Sequence, residues 1–151
     1  MRLRRYRPSD AAIVRRLHFE GLDQVGVNRP GPWDADLDRI EDEYLRCGDF
    51  VVAEVEGEVV AMGGLRAVGP GTGELKRLRV APRHQRRGLG EAITRALIAR
   101  AQQLRFQRLV LDTTTRQAPA RALYRKLGFR ETGRRETASG LELVFYELQL
   151  K

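Results

Sequence analysis

Between Leu78 and Leu97 the chain reads LRVAPRHQRRGLGEAITRAL. A strand ends at Pro82, a basic loop follows, and Gly88 and Gly90 lead into a helix marked by Leu89, Ile93 and Leu97. The first N–H groups of a helix have no partner inside it and carry partial positive charge. Gly88 and Gly90 lack a Cβ, so a bulky anion can come close to that backbone, and Arg83, Arg86 and Arg87 add full charges beside it. The combination is an anion cradle suited to phosphate. Two familiar phosphate loops do not fit. A Walker A loop needs G-x-x-x-x-G-K-[ST], which is absent from the sequence. A dinucleotide fingerprint needs a third glycine where Ile93 stands; Asp112 falls near the spacing of a ribose-binding acid, but strand–helix alternation fails upstream.

The elements around this loop can be read from periodicity. LRRYR is a short first strand, closed by Pro8; Ser9 or Asp10 suits an N-cap, and Ile13, Val14 and Leu17 form a helical stripe. Residues 21–33, rich in Gly and Pro, read as a loop. Asp34, Asp36 and Asp38 then load the first turn of an expected second helix, whose apolar face is Leu37, Ile40, Tyr44 and Leu45 and whose end is Gly48. FVVAEV and EVVAMGGL form a hairpin, and ELKRLRVAP is a fourth strand. Its alternation slips, because Leu75 lies three residues before Leu78, which predicts a β-bulge near Lys76–Leu78. A third helix carries Leu89, Ile93, Leu97, Ala101 and Leu104. RLVLD is a strand, Pro119 opens a helix that Gly128 ends, and LELVFYELQL is the last strand, with room for one more around 129–133. Strands adjoin strands first and alternate with helices later, so a mixed α/β sheet with packed helices is the expected class.

Composition narrows the partners. The 151 residues suit one domain spanning 1–151, and the formal charge of +8 favours an anionic ligand. Arginines are scattered along every element without a nucleic-acid recognition motif, so a nucleic-acid-binding module is the lesser reading. No apolar run is long enough to span a bilayer and the N-terminus has no apolar core of a signal peptide; no membrane partner and a cytoplasmic location are expected. With Cys47, His18 and His84 as the whole complement of Cys and His, a zinc site of the usual kind cannot be built, and no metal is expected. Cys47 reads as a small apolar group and His84 as a solvated loop residue.

Gln85-Arg86-Arg87-Gly88-Leu89-Gly90 resembles the Q/R-x-x-G-x-G/A acyl-CoA loop of the GNAT N-acetyltransferase superfamily, and APARALYRKLGF is similar to that family's A-x-x-L-Y-x-K-x-G-F helix. The two motifs stand in the family's order, and the element order fits nearly the whole chain. The resemblance implies a three-layer fold: a mostly antiparallel mixed sheet splayed between strands 4 and 5, helices on both faces, and acetyl-CoA in the wedge. It implies cofactor contacts at Leu78, Arg79 and Val80, where the pantetheine arm adds like a strand. Further contacts fall at Gln85, Arg86, Arg87, Gly88, Leu89, Gly90 and Glu91, around the pyrophosphate. Gln117 replaces an asparagine frequent in the family, which leaves a side-chain contact there open.

The same resemblance implies direct acetyl transfer to a primary amine of a small molecule or peptide. A Lys-like amine of pKa ~10.4 is ~3.4 units from neutral at pH 7, so deprotonating it costs ~4.6 kcal/mol, which calls for a general base. Glu74, at the start of the fourth strand, matches a base glutamate used by some members. Tyr124, the motif tyrosine, would hydrogen-bond the leaving thiolate, with Arg121 and Arg125 expected to lower its pKa. A backbone N–H near Leu78 would polarise the acetyl carbonyl. The alternative is a CoA-binding sensor without catalysis. The acceptor is shaped in the family by regions that correspond to residues 21–33 and 133–140, with Trp33 and Tyr44 as core or acceptor wall. The basic balance favours acceptors bearing a carboxylate or phosphate over polyamines. Homodimers are frequent in the family, and the oligomeric state stays open.

Overall fold

The structure, a computed structural model, describes residues 1–24 and 32–150. The larger part of the 21–33 acceptor region, and the side chain of Trp33, lie outside the described residues. In chain order the elements are β1 (Arg2–Arg5), α1 (Ala11–Gln24), β2 (Asp49–Val55), β3 (Glu58–Gly69), β4 (Thr72–Val80), α2 (Leu89–Gln103), β5 (Arg108–Thr114), α3 (Ala118–Lys126), β6 (Arg130–Glu136) and β7 (Glu142–Gln149). The strands form one sheet in the order β1-β2-β3-β4-β5-β7-β6. Every pairing is antiparallel except β4 with β5, which is parallel and therefore needs the crossover that α2 supplies. The extra strand anticipated near 129–133 is β6.

The parallel pairing is short. Thr72 pairs with Arg108, Gly73 with Leu109 and Glu74 with Val110; beyond Glu74 the two strands part. The sheet is thus splayed between β4 and β5, as the resemblance implied. On its other edge β4 carries the expected bulge: Gly64 pairs with Lys76 and Met62 with Arg79, so Gly63 alone faces Arg77 and Leu78. Arg77 has φ 62°, a left-handed conformation that costs a non-glycine residue about 1–2 kcal/mol. The extra residue turns Leu78 back to the face of Leu75, toward α2. Gly63 permits α2 to lie close there, since a Cβ would sit 2.7 Å from Ile93 Cγ2.

Helices cover both faces. Ile93, Leu97 and Ala101 of α2 pack over Leu65, Leu75, Leu109 and Leu111 on one face, and all of these are buried. On the other, Val14 and Leu17 of α1 join Tyr44 and Phe50. No helix among the described residues is long and apolar enough to cross a membrane.

The expected second helix is not continuous. It divides into a 3₁₀ turn, Pro32–Asp38, and one π-helical turn, Glu41–Leu45. Leu37, Ile40 and Tyr44 are buried as their spacing suggested. Asp36, within the 3₁₀ turn, is drawn inward. Instead of facing solvent at a helix start it is 8% exposed, where it accepts hydrogen bonds from the Tyr44 hydroxyl and from Arg77 Nε at 3.0 Å and Nη2 at 2.5 Å. Burial opposes its ionisation, yet Arg77 and Tyr44 outweigh that and hold its carboxyl below the usual range. Asp10 is comparable at the start of α1. It accepts the Arg7 N–H at 2.9 Å, as a cap would, and a two-pronged bond from Arg4 at 2.8 Å.

Candidate active site

Where β4 and β5 part, a cleft of about 500 Å³ opens. Its β4 wall runs from Leu75 through Lys76, Arg77 and Leu78 to Arg79; Asp112, Thr113 and Thr114 of β5 stand opposite. Thr94 and Leu97 of α2 close one side, and Gln117, Ala120 and Tyr124 of α3 another. Thr137, Ser139 and Leu141, with Leu143 of β7, complete it, so the segment before β7 expected to shape the acceptor end does line the cleft. The β4 edge facing the gap has no β5 partner past Glu74, and along Leu78–Val80 its carbonyls accept side-chain donors instead, Leu78 from Arg79 Nη1 at 3.4 Å and Val80 from Gln85 Nε2 at 3.1 Å.

The anion cradle lies just beyond that edge. Pro82–His84 make a 3₁₀ turn, Gln85 is extended, and Arg86 (φ 65°) and Gly88 (φ 79°) are left-handed before α2 begins at Leu89. The first bond of α2 joins the Ala92 N–H to the Gly88 carbonyl at 3.0 Å. No backbone acceptor among the described residues takes the N–H groups of Arg86, Arg87, Gly88, Leu89 or Gly90. Such a turn of unsatisfied N–H groups is an anion-binding concavity. The two glycines differ. Gly88 is needed for its positive φ and faces open space, whereas a Cβ on Gly90 would make ordinary contacts with Val80 Cγ2 at 3.7 Å and Leu123 Cδ2 at 3.9 Å.

The side chains around the cradle divide the work. Gln85 Nε2 donates to the Val80 carbonyl at 3.1 Å, tying loop to strand. Arg83 is drawn to Glu58 at 3.1 Å, and Arg87 Nη1 lies 3.5 Å from His84 Nδ1, while Arg86 makes no ion pair among the described residues. Glu91 bridges α3 to α2 through Lys126 at 2.6 Å and Arg95 at 2.9 Å; Lys126 first, then Arg95, hold its carboxyl below the usual range. Gln117 lines the cleft, and its Oε1 accepts the Thr113 hydroxyl, joining the end of β5 to the start of α3.

Tyr124 is 7% exposed, with Phe129 and Tyr146 at ring-centroid distances of 5.7 and 5.9 Å. Burial pushes its hydroxyl up to about 12; Arg79 pulls the other way, and Asp112 and Tyr146 add to the rise. The expectation that Arg121 and Arg125 would lower it does not hold. Arg121 donates instead to the Tyr146 hydroxyl at 3.3 Å, and the cation that Tyr124 feels is Arg79 from the opposite wall.

Glu74 occupies the last position of β4 paired with β5, bound to Arg66 Nε at 2.8 Å, and it is not among the residues lining the cleft. Asp112, which spacing alone assigned to a strand end, is in the lining. Burial first, and then the negative charge of Glu74, push its carboxyl above the usual range, against Lys76 and Arg77. A carboxyl so perturbed in a cleft has the character of a proton acceptor. Register holds the signal that identifies it: Asp112 lies two residues past Val110 on the face shared with Glu74.

Comparison with known proteins agrees with this geometry. The model of the acetyltransferase (GNAT) family matches residues 19–129. Human N-acetyltransferase 8 is 37% identical over 105 residues, 65% of this chain and 46% of that protein. Mouse N-acetyltransferase family 8 member 3 is 38% identical over 89 residues, 56% of this chain and 39% of that protein. The matches thus span less than half the length of these curated relatives. A GNAT-family acetyltransferase from Staphylococcus aureus Mu50 superposes with TM-score 0.89 at 21% identity, covering 99% of both chains. The Salmonella typhimurium protein yncA, whose structure holds its cofactor acetyl-CoA, gives TM-score 0.83 at 23% identity over 100% of this chain and 94% of that one. These structural likenesses show the fold. The family model, matching well over half the chain, shows more: this chain belongs to the acetyltransferase (GNAT) family, a family of acyltransferase enzymes.

Proposed function

We propose that the chain is an acetyl-CoA-dependent N-acetyltransferase that moves an acetyl group directly to an amine acceptor in a ternary complex. One observation carries the reading: a row of unsatisfied N–H groups from Arg86 to Gly90 continues into the unpaired edge of β4 and on into a cleft that contains Tyr124 and Asp112. The relatives named N-acetyltransferases and the neighbour bound to acetyl-CoA support the choice of donor.

Acetyl-CoA supplies the acetyl group as a thioester. The cradle holds its diphosphate, and the backbone at Leu78, Arg79 and Val80 guides its arm toward the split. A backbone N–H near Leu78 polarises the carbonyl. Asp112 takes the proton released as the amine nitrogen bonds to the carbonyl carbon and the carbon–sulfur bond breaks. Glu74, one step behind on the same face, raises the proton affinity of Asp112, so the pair shares the base role first assigned to Glu74 alone. Tyr124 keeps its phenolic proton. Full transfer from a hydroxyl near 12 to a thiolate of ordinary pKa ~8.5 is uphill by ~3.5 units, about 5 kcal/mol. It therefore acts by donating a hydrogen bond to the departing sulfur.

Isothermal titration of coenzyme A into the folded protein, paired with a thiol-release assay using acetyl-CoA and a broad amine panel, tests the proposal. Heat of binding and thiol release are expected. Absence of binding heat overturns the donor, and binding without release from any amine replaces the enzyme with a CoA-binding sensor.

A further inference from the structure

The cleft contains two opposite charges that the protein leaves unpaired. Lys76 of β4 and Asp112 of β5 both line it, and neither makes an ion pair or a hydrogen bond to another side chain among the described residues; Asp112 bonds its own backbone. Register explains why they fall level with one another. Glu74 pairs with Val110, and Lys76 and Asp112 each lie two residues further along their strand, on the same face. Had the parallel pairing continued they would be neighbours across a closed sheet. The strands part at that point, so the two charges stand on opposite lips of the opening, close enough to influence one another but too far apart to join.

The other charges nearby are already engaged. Arg77 is bound to Asp36, Glu74 to Arg66, and Arg79 Nη1 donates to the Leu78 carbonyl at 3.4 Å. Lys76 is half-buried and Asp112 exposed at the opening, so both are accessible, and two such groups of opposite sign are complementary to a ligand with both signs in reverse.

We propose that the acceptor is an amine carrying a carboxylate beside its nitrogen, as in an α-amino acid, with the amine at Asp112 and the carboxylate at Lys76. This rests on the acetyltransferase reading and adds the substrate class to it. A polyamine meets Lys76 with like charge, and a neutral amine leaves Lys76 unmatched. The walls of Leu141 and Leu143, with Ala120, suit an apolar side chain on such an acceptor.

The test is thiol release with acetyl-CoA over matched sets: free amino acids, the same amino acids as carboxamides, and the corresponding amines lacking the carboxyl group. The free acids are expected to exceed their partners in kcat/KM by about tenfold or more, the worth of a hydrogen bond to a charged group. In Lys76→Gln that ratio should fall toward one, and Lys76→Arg should restore part of it. Equal or better use of carboxamides, or a preference unchanged in Lys76→Gln, overturns the substrate class while leaving acetyl transfer intact. So does thiol release confined to polyamines or to lysine side chains of peptides. Failure of coenzyme A to bind at all removes the acetyltransferase reading itself.

Discussion

Consecutive residues of β4 meet opposite electrostatic fates. Arg77, thrown out of register by the bulge, reaches Asp36 and Tyr44 in a buried cluster whose donors and acceptors are matched. Lys76, one residue earlier, lines the split opposite Asp112 and makes no ion pair among the described residues. The first cluster is architecture: it fastens the segment before β2 onto β4 and holds Arg77 at φ 62°. The second fastens nothing: neither charge ties one element to another by an ion pair among the described residues. What separates them is the side chains that neighbouring elements bring to each. Arg77 lines the same cleft but is met there by the acid that the segment before β2 brings to it, whereas Lys76 and Asp112 form no ion pair among the described residues.

The largest expected effect comes from removing the unpaired acid. Asp112→Asn should lower kcat/KM by about 10²–10⁴-fold, the usual worth of a positioned general base. It should also flatten the acid limb of the pH–rate profile, because the rate of the unaltered protein falls as pH drops through the raised pKa of Asp112. Glu74→Gln should cost less and move that limb to lower pH, since the negative charge that helps raise Asp112 is gone. If Glu74→Gln abolishes the limb while Asp112→Asn keeps it, the roles are reversed and Glu74 is the base.

Next in size is an assault on the paired cluster. Arg77→Leu leaves Asp36 buried without its cation and should lower unfolding stability by about 3–5 kcal/mol, read from urea denaturation. Adding Asp36→Asn should return part of that loss, because the stranded charge disappears. Were Arg77→Leu nearly neutral, the cluster would not be the fastener that its burial suggests.

How far the sequence discloses these arrangements depends on how local each cause is. The bulge is legible because a three-residue step from Leu75 to Leu78 breaks a two-residue rhythm within one strand. The cradle is legible because strand end, arginines, glycines and helix start are contiguous. The inward place of Asp36 before β2 is not, since its partner is Arg77 on a distant strand, and no period within residues 34–48 registers it. The environment of Tyr124 is misjudged for the same reason: Arg121 and Arg125 are near in sequence, while the cation that matters, Arg79, arrives from the opposite wall. Asp112 and Lys76 are each visible as charged strand residues. Their juxtaposition becomes visible only once the last pair, Glu74 with Val110, is known.

The smallest effect is the most direct probe of whether Asp112 is held at a cost. Its carboxyl pKa in the folded protein is raised, so the folded state binds its proton more tightly than the unfolded chain does. Stability contributed by this group is therefore full at low pH, where both states are protonated, and is lost as pH rises through the folded-state value. At neutral pH the ionised Asp112 is therefore expected to oppose folding, by an amount that its exposure to solvent keeps small. Asp112→Asn should accordingly raise the melting temperature at pH 7 while it disables turnover, and the gain should shrink as pH falls below the ordinary aspartate range. A variant equally stable at both pH values would mean that the carboxylate sits at ease in the cleft. Asp112 would then be a satisfied carboxylate like Asp36, and its pairing with Lys76 would lose its physical basis.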